Sequence, residues 1–220
     1  MGLSRPPIHA FVFDLDGVIT DTAEYHYLAW QRLCDEEGLS FSRADNDTLR
    51  GLSRRDSLLK ILKGAAMPEE RMEQLMTRKN DYYRDFLRKI TPTDLLPGVG
   101  EFLRAARKKG IHLGLASASK NAKDVIENLQ VSDFFEAVGD GYSVVNSKPA
   151  PDLFVWVAGR LGVPPAEVVI FEDAEAGVEA AHAAGMRVVG LGPIERLGKA
   201  DILYPGLESV TVEAVLMALG

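Results

Sequence analysis

An α/β fold, with a parallel-sheet core and an inserted helical cap domain, is what this sequence predicts. Short apolar runs recur along the chain, at 8–14 (IHAFVFD), 111–116 (IHLGLA), 168–173 (VVIFED) and 187–191 (RVVGL), with a weaker one at 135–139 (FEAVG). Helical patterns near 99–109, 121–130, 151–162 and 174–185 separate them, the alternation of a parallel sheet covered on both faces. Residues 22–90 break that rhythm: they hold no convincing strand and read as helices near 22–37, 54–63 and 68–89.

The first run ends in Asp14-Leu15-Asp16-Gly17. Alternation along a strand would put both carboxylates on one side, at the C-terminal edge where open parallel sheets bind ligands. Paired acids there cost electrostatic energy unless a cation or an electrophile compensates; a plain turn or N-cap pair is the competing reading. The helical block then leaves the core through about 17–22 and returns through the Pro-rich 91–97, two short linkers of the kind a hinge requires. The core is expected over 1–20 and 95–220, the cap over 21–94.

Past the cap, several helical patterns end at glycine (Gly110, Gly162, Gly185), and Thr211 is placed to N-cap a terminal helix. The second strand ends in Ala116-Ser117-Ala118-Ser119-Lys120-Asn121, small residues that let backbone N–H groups approach an anion. Read alone, this is an ordinary helix start with Ser119 or Asn121 as N-cap. Lys148 precedes Pro149, which restricts its backbone and would present its ammonium to the sheet edge. The third strong strand ends in Glu172-Asp173, adjacent carboxylates suited to a hard cation such as Mg²⁺. Each feature has a structural explanation of its own. Together, at four strand ends, acid pair, hydroxyl, ammonium and acid pair make a site for moving a phosphoryl group.

Bulk properties narrow the rest. In 220 residues, 32 acidic side chains against 25 Lys and Arg give a net charge of −7, which argues against broad nucleic-acid or anionic-membrane binding. The one cysteine, Cys34, excludes an intrachain disulfide and reads as a packed thiol in a reducing, cytoplasmic setting. Met1–Pro7 lacks the apolar stretch of a secretion signal, and no segment approaches the roughly 20 continuous apolar residues of a membrane span.

In order, Asp14-Leu15-Asp16-Gly17-Val18, Ser117, Lys148-Pro149 and Glu172-Asp173 resemble the four motifs of the haloacid dehalogenase superfamily, whose fold is a Rossmann-like sheet core with a cap. The stretches 14–30, 50–58, 78–81, 116–121 and 147–152 are further similar to the β-phosphoglucomutase family. That resemblance implies interconversion of β-D-glucose 1-phosphate and D-glucose 6-phosphate through β-D-glucose 1,6-bisphosphate, with Mg²⁺ and an aspartyl-phosphate enzyme. It implies Asp14 as nucleophile and metal ligand, and Asp16 as general acid/base that ligates the metal through its carbonyl. Glu172 and Asp173 would complete the protein's metal ligands. Ser117, the Ala118 backbone and Lys148 would hold the transferring phosphoryl group. Arg54 would grip the distal phosphate, faced by Ser119, Lys120 and Asn121. Trp30, Gly51, Leu52 and Lys79 would line the cap side of the sugar pocket, with Thr22 and His26 in the hinge network. The implied partners are hexose phosphates, with no nucleic acid or membrane, and the chain is expected to act as a monomer.

Two positions depart from the family pattern: Arg50 stands where lysine is usual, and Ala174 where serine follows the metal acids. The main rival is a sugar-phosphate or phosphoglycolate-type phosphatase on the same scaffold; a non-catalytic sugar-phosphate-binding protein is the rival of another class. A nucleotide-cofactor oxidoreductase is disfavoured, because no G-x-G-x-x-G follows the first strand. His26 shares a helical face with Trp30 and Leu33 and reads as a hinge histidine rather than a proton carrier.

Overall fold

A computed structural model describes residues 6–220, so the reading of Met1–Pro7 as lacking a leader falls largely outside the described residues. Six parallel strands form one sheet: β1 (Ala10–Phe13), β2 (His112–Ala116), β3 (Ala137–Gly139), β4 (Val168–Glu172), β5 (Arg187–Leu191) and β6 (Ile202–Tyr204), in the order β3-β2-β1-β4-β5-β6. In that doubly wound order the topology reverses between β1 and β4, and a crevice opens beyond their C-terminal ends.

The strands read as unbroken apolar runs because both faces are covered. On one face Phe11, Phe13 and Phe171 pack with Phe102 of α5 (Val99–Lys108) and with apolar residues of α6 (Ala122–Asn128) and α10 (Val212–Leu219). The other face buries Val12, Ile170 and Val188 under α7 (Asp152–Leu161) and α8 (Glu175–Ala183). Gly162 caps α7 in the left-handed conformation, and the Thr211 hydroxyl caps α10 by accepting from the Ala214 N–H.

Between β1 and α5 stand α1 (Ala23–Glu37), α2 (Arg43–Asp47), α3 (Arg54–Ile61) and α4 (Glu69–Leu87). They carry their own core of Trp30, Leu33, Cys34, Leu58, Ile61, Met72 and Leu75. Cys34 is buried there, and its thiol is pushed up to about 11, chiefly by burial, as befits a packing residue. The two linkers pair with each other: Thr20 bridges Leu95, the Leu96 N–H donates to the Ile19 carbonyl, and the Thr20 hydroxyl donates to the Asp94 carbonyl. No helix among the described residues is long and apolar enough to cross a membrane.

The structure alters several local expectations. β1 stops at Phe13, so Asp16 lies in the following turn and meets Asp14 through the loop, not through strand alternation. Neither Ser119 nor Asn121 caps α6 with its side chain; the Ser119 hydroxyl accepts from the Asn121 N–H within a turn instead. β6 and the short α9 (Ile194–Leu197) were not expected from the sequence.

Candidate active site

Sheet register fixes the centre of the site. Phe13 pairs with Leu115 on one side and Phe171 on the other, so the next residue, Asp14, stands level with Glu172. The Asp14 N–H donates to the Phe171 carbonyl. Carboxylate oxygens of Asp14, Glu172 and Asp173 come within 4.8 Å of one another, and all three residues are buried.

Lys148 enters from the loop before α7. Its ammonium, wholly buried, donates to Asp14 Oδ1 (2.7 Å), Glu172 Oε2 (2.8 Å) and the Ala116 carbonyl (3.3 Å). The Lys148–Pro149 peptide is cis. Burial opposes the ammonium's charge, yet Asp14 and Glu172 outweigh it and raise Lys148 above the usual lysine range. The acids remain short of positive charge. Burial pushes Glu172 up, and Lys148 offsets this only in part; burial and then Asp14 push Asp173 up against Arg50 and Arg196.

Glycines make room for these carboxylates. A Cβ at Gly17, where φ is +80°, would lie 2.4 Å from Asp173 Oδ2, and one at Gly177 would lie 2.0 Å from the Glu172 carboxyl carbon. Three hard oxygen donors, pressed together and incompletely neutralised, fit a small divalent cation.

Asp16 faces the cavity with its carboxyl pushed up to about 8, by burial first and then by Asp14 and Asp173. The Thr22 hydroxyl donates to its Oδ1, which fixes the group at the entrance to the cap. Ser117 is buried at the end of β2; its hydroxyl accepts from the Ser119 N–H, and it does not line the cavity.

The cavity, about 980 Å³, lies between cap and core. Asp14, Asp16, Ala118, Ser119, Lys120, Asn121 and Lys148 line it from the core; His26, Trp30, Gly51, Leu52, Arg54 and Lys79 line it from the cap. Lys79 is buried and sits 2.8 Å from His26 Nδ1, with its ammonium over the rings of Trp30 (5.1 Å) and Tyr83 (4.6 Å). Burial, and then the charge of Arg54, hold Lys79 well below the lysine range, against Asp16. Burial, Lys79 and Arg54 hold His26 well below the histidine range, so a neutral, hydrogen-bonded imidazole is what the surroundings favour. Arg54 Nη2 donates to Asn80 Oδ1 (2.7 Å), and Asn121 Nδ2 donates to the same oxygen (2.9 Å).

Several residues of this site were not singled out from the sequence. Tyr83 lines the cavity and stacks on His26, with its phenol well above the usual range through burial and then Asp16. Arg196 of α9 donates through Nε to the Asp173 carbonyl (2.6 Å); Arg50, the first of the two departures noted from the sequence, donates through Nη1 to Asp173 Oδ2 (3.0 Å) from the cap. The Ser147 hydroxyl donates to Asp56 Oδ2 (2.6 Å), a further cap-to-core link. Ala174, the second departure, packs under the cap: a Cβ at Gly51 would lie 3.1 Å from its methyl. The run of polar residues after β2 foreshadowed Asn121, but no periodicity marks Arg196 or Ser147.

Comparison with known proteins agrees with this geometry. The family model for haloacid dehalogenase-like hydrolases matches residues 8–185. A Bacillus subtilis protein named β-phosphoglucomutase is 42% identical over 208 residues, covering 93% of this chain and 92% of its own. A Thermotoga maritima protein named phosphorylated carbohydrates phosphatase is 30% identical over 215 residues, with 96% and 98% covered. Among solved structures, a crystal structure of β-phosphoglucomutase from Clostridium difficile superposes with a TM-score of 0.93 at 38% identity, over 96% of this chain and 97% of that one.

Proposed function

The chain belongs to the haloacid dehalogenase-like hydrolase family, and from that premise we propose that it is a β-phosphoglucomutase. It interconverts β-D-glucose 1-phosphate and D-glucose 6-phosphate through β-D-glucose 1,6-bisphosphate. The observation that carries this reading is that one cavity holds both the acids Asp14 and Asp16 and, apart from them, a guanidinium and a carboxamide suited to a second phosphate, Arg54 and Asn121. A mutase needs two phosphate sites, because its intermediate bears a phosphate at each end.

Asp14 attacks phosphorus and forms an aspartyl phosphate; the bond from phosphorus to the sugar oxygen breaks, and Asp16 gives that oxygen its proton. In the reverse sense Asp16 takes the proton of the incoming sugar hydroxyl as the phosphoryl group returns. Lys148 and the Ala118 N–H hold phosphoryl oxygens, with Ser117 behind them ordering the loop through the Ser119 N–H, and the Arg54 fork holds the distal phosphate with Ser119, Lys120 and Asn121. Trp30, Gly51, Leu52, Lys79 and His26 shape the sugar side, and Thr22 orients Asp16. Asp14, Glu172, Asp173 and the Asp16 carbonyl would hold Mg²⁺, which when bound offsets charge on the phosphoryl oxygens. In this reading residues 1–20 and 95–220 are the catalytic core and 21–94 the cap, which turns about the paired linkers at Thr20 and Leu95 and excludes water when closed.

The test supplies β-glucose 1-phosphate, Mg²⁺ and a trace of bisphosphate, and follows products. Glucose 6-phosphate is expected. Inorganic phosphate without glucose 6-phosphate would overturn the mutase reading in favour of a sugar-phosphate phosphatase, the activity in the name of the Thermotoga relative.

A further inference from the structure

We propose that Asn80 is a positioning residue for the distal phosphate: its carboxamide oxygen stands in for a phosphate oxygen while that site is empty. The inference rests on the reading of Arg54 and Asn121 as distal-phosphate ligands.

Two donors from opposite sides of the cavity, Arg54 Nη2 at 2.7 Å and Asn121 Nδ2 at 2.9 Å, converge on one atom of Asn80. An amide nitrogen cannot accept, so that atom is the oxygen. Arg54 stands at the start of α3 and Asn121 just before α6, so this oxygen joins cap to core. The donors are the ones a bound phosphate would use, and Asn80 meets them with the same kind of acceptor.

The choice of side chain matters. Arg54 and Asn121 lose water when the cap closes, and donors left unpaired in a closed site are costly. Asn80 pairs them without neutralising the guanidinium, because a carboxamide carries no charge. An incoming phosphate dianion offers stronger, charge-assisted bonds and displaces the carbonyl. A carboxylate at the same place would pair Arg54 just as well but as a resident anion, and phosphate would have to compete with it. Asn80 also follows Lys79 on α4, so adjacent residues of one helix set an amine against His26 and a neutral acceptor against Arg54 and Asn121.

The experiment compares Asn80→Asp and Asn80→Ala. Calorimetry reads binding of glucose 6-phosphate, and a second assay reads phosphoenzyme formation from acetyl phosphate, which has no distal phosphate. Asn80→Asp is expected to weaken glucose 6-phosphate binding by ~10-fold or more, the scale of one charged hydrogen bond, whereas Asn80→Ala, which removes an acceptor that phosphate displaces, should bind no more weakly than wild type. Acetyl phosphate should label both variants at near the wild-type rate. A merely structural role predicts the opposite order, since aspartate is isosteric with asparagine and alanine is not. Equal losses, a milder loss in Asn80→Asp, or loss of acetyl phosphate labelling in either variant would overturn the proposal. If Asn80→Asp does not fold, Asn80→Ala decides: glucose 6-phosphate binding as tight as wild type or tighter, with intact acetyl phosphate labelling, supports the proposal, and weakened binding overturns it. Wild-type protein that makes no glucose 6-phosphate would defeat the mutase reading instead, whatever the variants bind.

Discussion

Lys148 shows how much one side chain determines at this site. Its ammonium is shared between Asp14 and Glu172, so it links the end of β1 to the end of β4 and limits repulsion among three buried acids. Replacing it with methionine keeps the volume and removes the charge, which leaves both carboxylates facing each other. Breaking a buried pair from one side costs about 3 kcal/mol or more, and in a chain of this size each kcal/mol lowers Tm by about 2–4 °C. Lys148→Met should therefore melt several degrees below wild type, with part of the loss recovered when Mg²⁺ is added. A calorimetric scan with and without Mg²⁺ checks both. Asp14→Asn separates chemistry from fold in the complementary way: the fold should persist, while labelling by a phosphoryl donor should vanish. Retained turnover in Asp14→Asn would refute the aspartyl-phosphate route.

Among the elements, the strands were legible from sequence in proportion to their burial. β1, β2, β4 and β5 are almost wholly buried, so their residues had to be apolar and show as unbroken runs. β6 has three half-buried residues at the sheet edge, and α9 has four residues; neither is long enough to show a period. Asp16 was placed on the right side of the sheet for the wrong reason, because alternation ends with β1 and the Gly17 turn completes the placement. Helix packing sets a limit of its own at Gly177. There α8 passes so close to Glu172 that a Cβ would meet its carboxyl carbon at 2.0 Å. Gly177→Ala should cost about 1–3 kcal/mol as an overpacked core does, and should weaken divalent-cation binding because Glu172 must move. Thermal melts and a Mn²⁺ titration read the two effects. The pairing of α1 with α4 makes a pH prediction. His26 and Lys79 both titrate below their unfolded values of 6.5 and 10.5. For these two groups the unfolded chain binds more protons, so each contributes a rise of stability with pH while it is crossing: up to 6.5 for His26, and from the lowered Lys79 value up to 10.5. Asp16, Glu172 and Asp173, raised to about 8, 8 and 6, contribute the opposite slope up to about 8, so the Lys79 arm shows cleanly only on the alkaline side. The groups that set this are Arg54, Asp16 and the Tyr83 ring around Lys79, and Arg54 and Lys79 around His26. Lys79→Met should flatten the alkaline arm and raise Tm of the ligand-free protein at pH 7. A fall in Tm would mean that the contacts with His26, Trp30 and Tyr83 outweigh the cost of burial.

At the scale of the whole molecule, cap and core meet through polar bridges that differ in what they touch. Arg50 reaches Asp173, Asp56 accepts from Ser147, and Asn80 joins Arg54 to Asn121, while the linkers pair at Thr20 and Leu95. The motifs at the strand ends announced the core half of this seam. The cap half depends on which helix faces lie across the cavity, a tertiary fact that local sequence does not encode. The Ser147–Asp56 bond touches neither an acid of the centre nor a group assigned to the distal phosphate. Ser147 stands next to Lys148, so a cap held here is held beside the phosphorylated aspartate. If closure serves to keep water from the phosphoenzyme, loosening this bond should change the fate of the phosphoryl group more than its rate of loading. Ser147→Ala should leave Tm within about 1 kcal/mol equivalent of wild type, the usual worth of one neutral hydrogen bond, somewhat more for a bond to a carboxylate. It should form phosphoenzyme at nearly the wild-type rate. The ratio of inorganic phosphate released to glucose 6-phosphate formed should rise several-fold, on the order of the factor of 5–10 that ~1–1.4 kcal/mol represents. Asp56→Asn, which keeps the size but weakens the acceptor, should fall between Ser147→Ala and wild type. An unchanged partition ratio in Ser147→Ala would show that this bridge does not control access of water, and would leave Arg50 and Asn80 as the contacts that hold the cap shut.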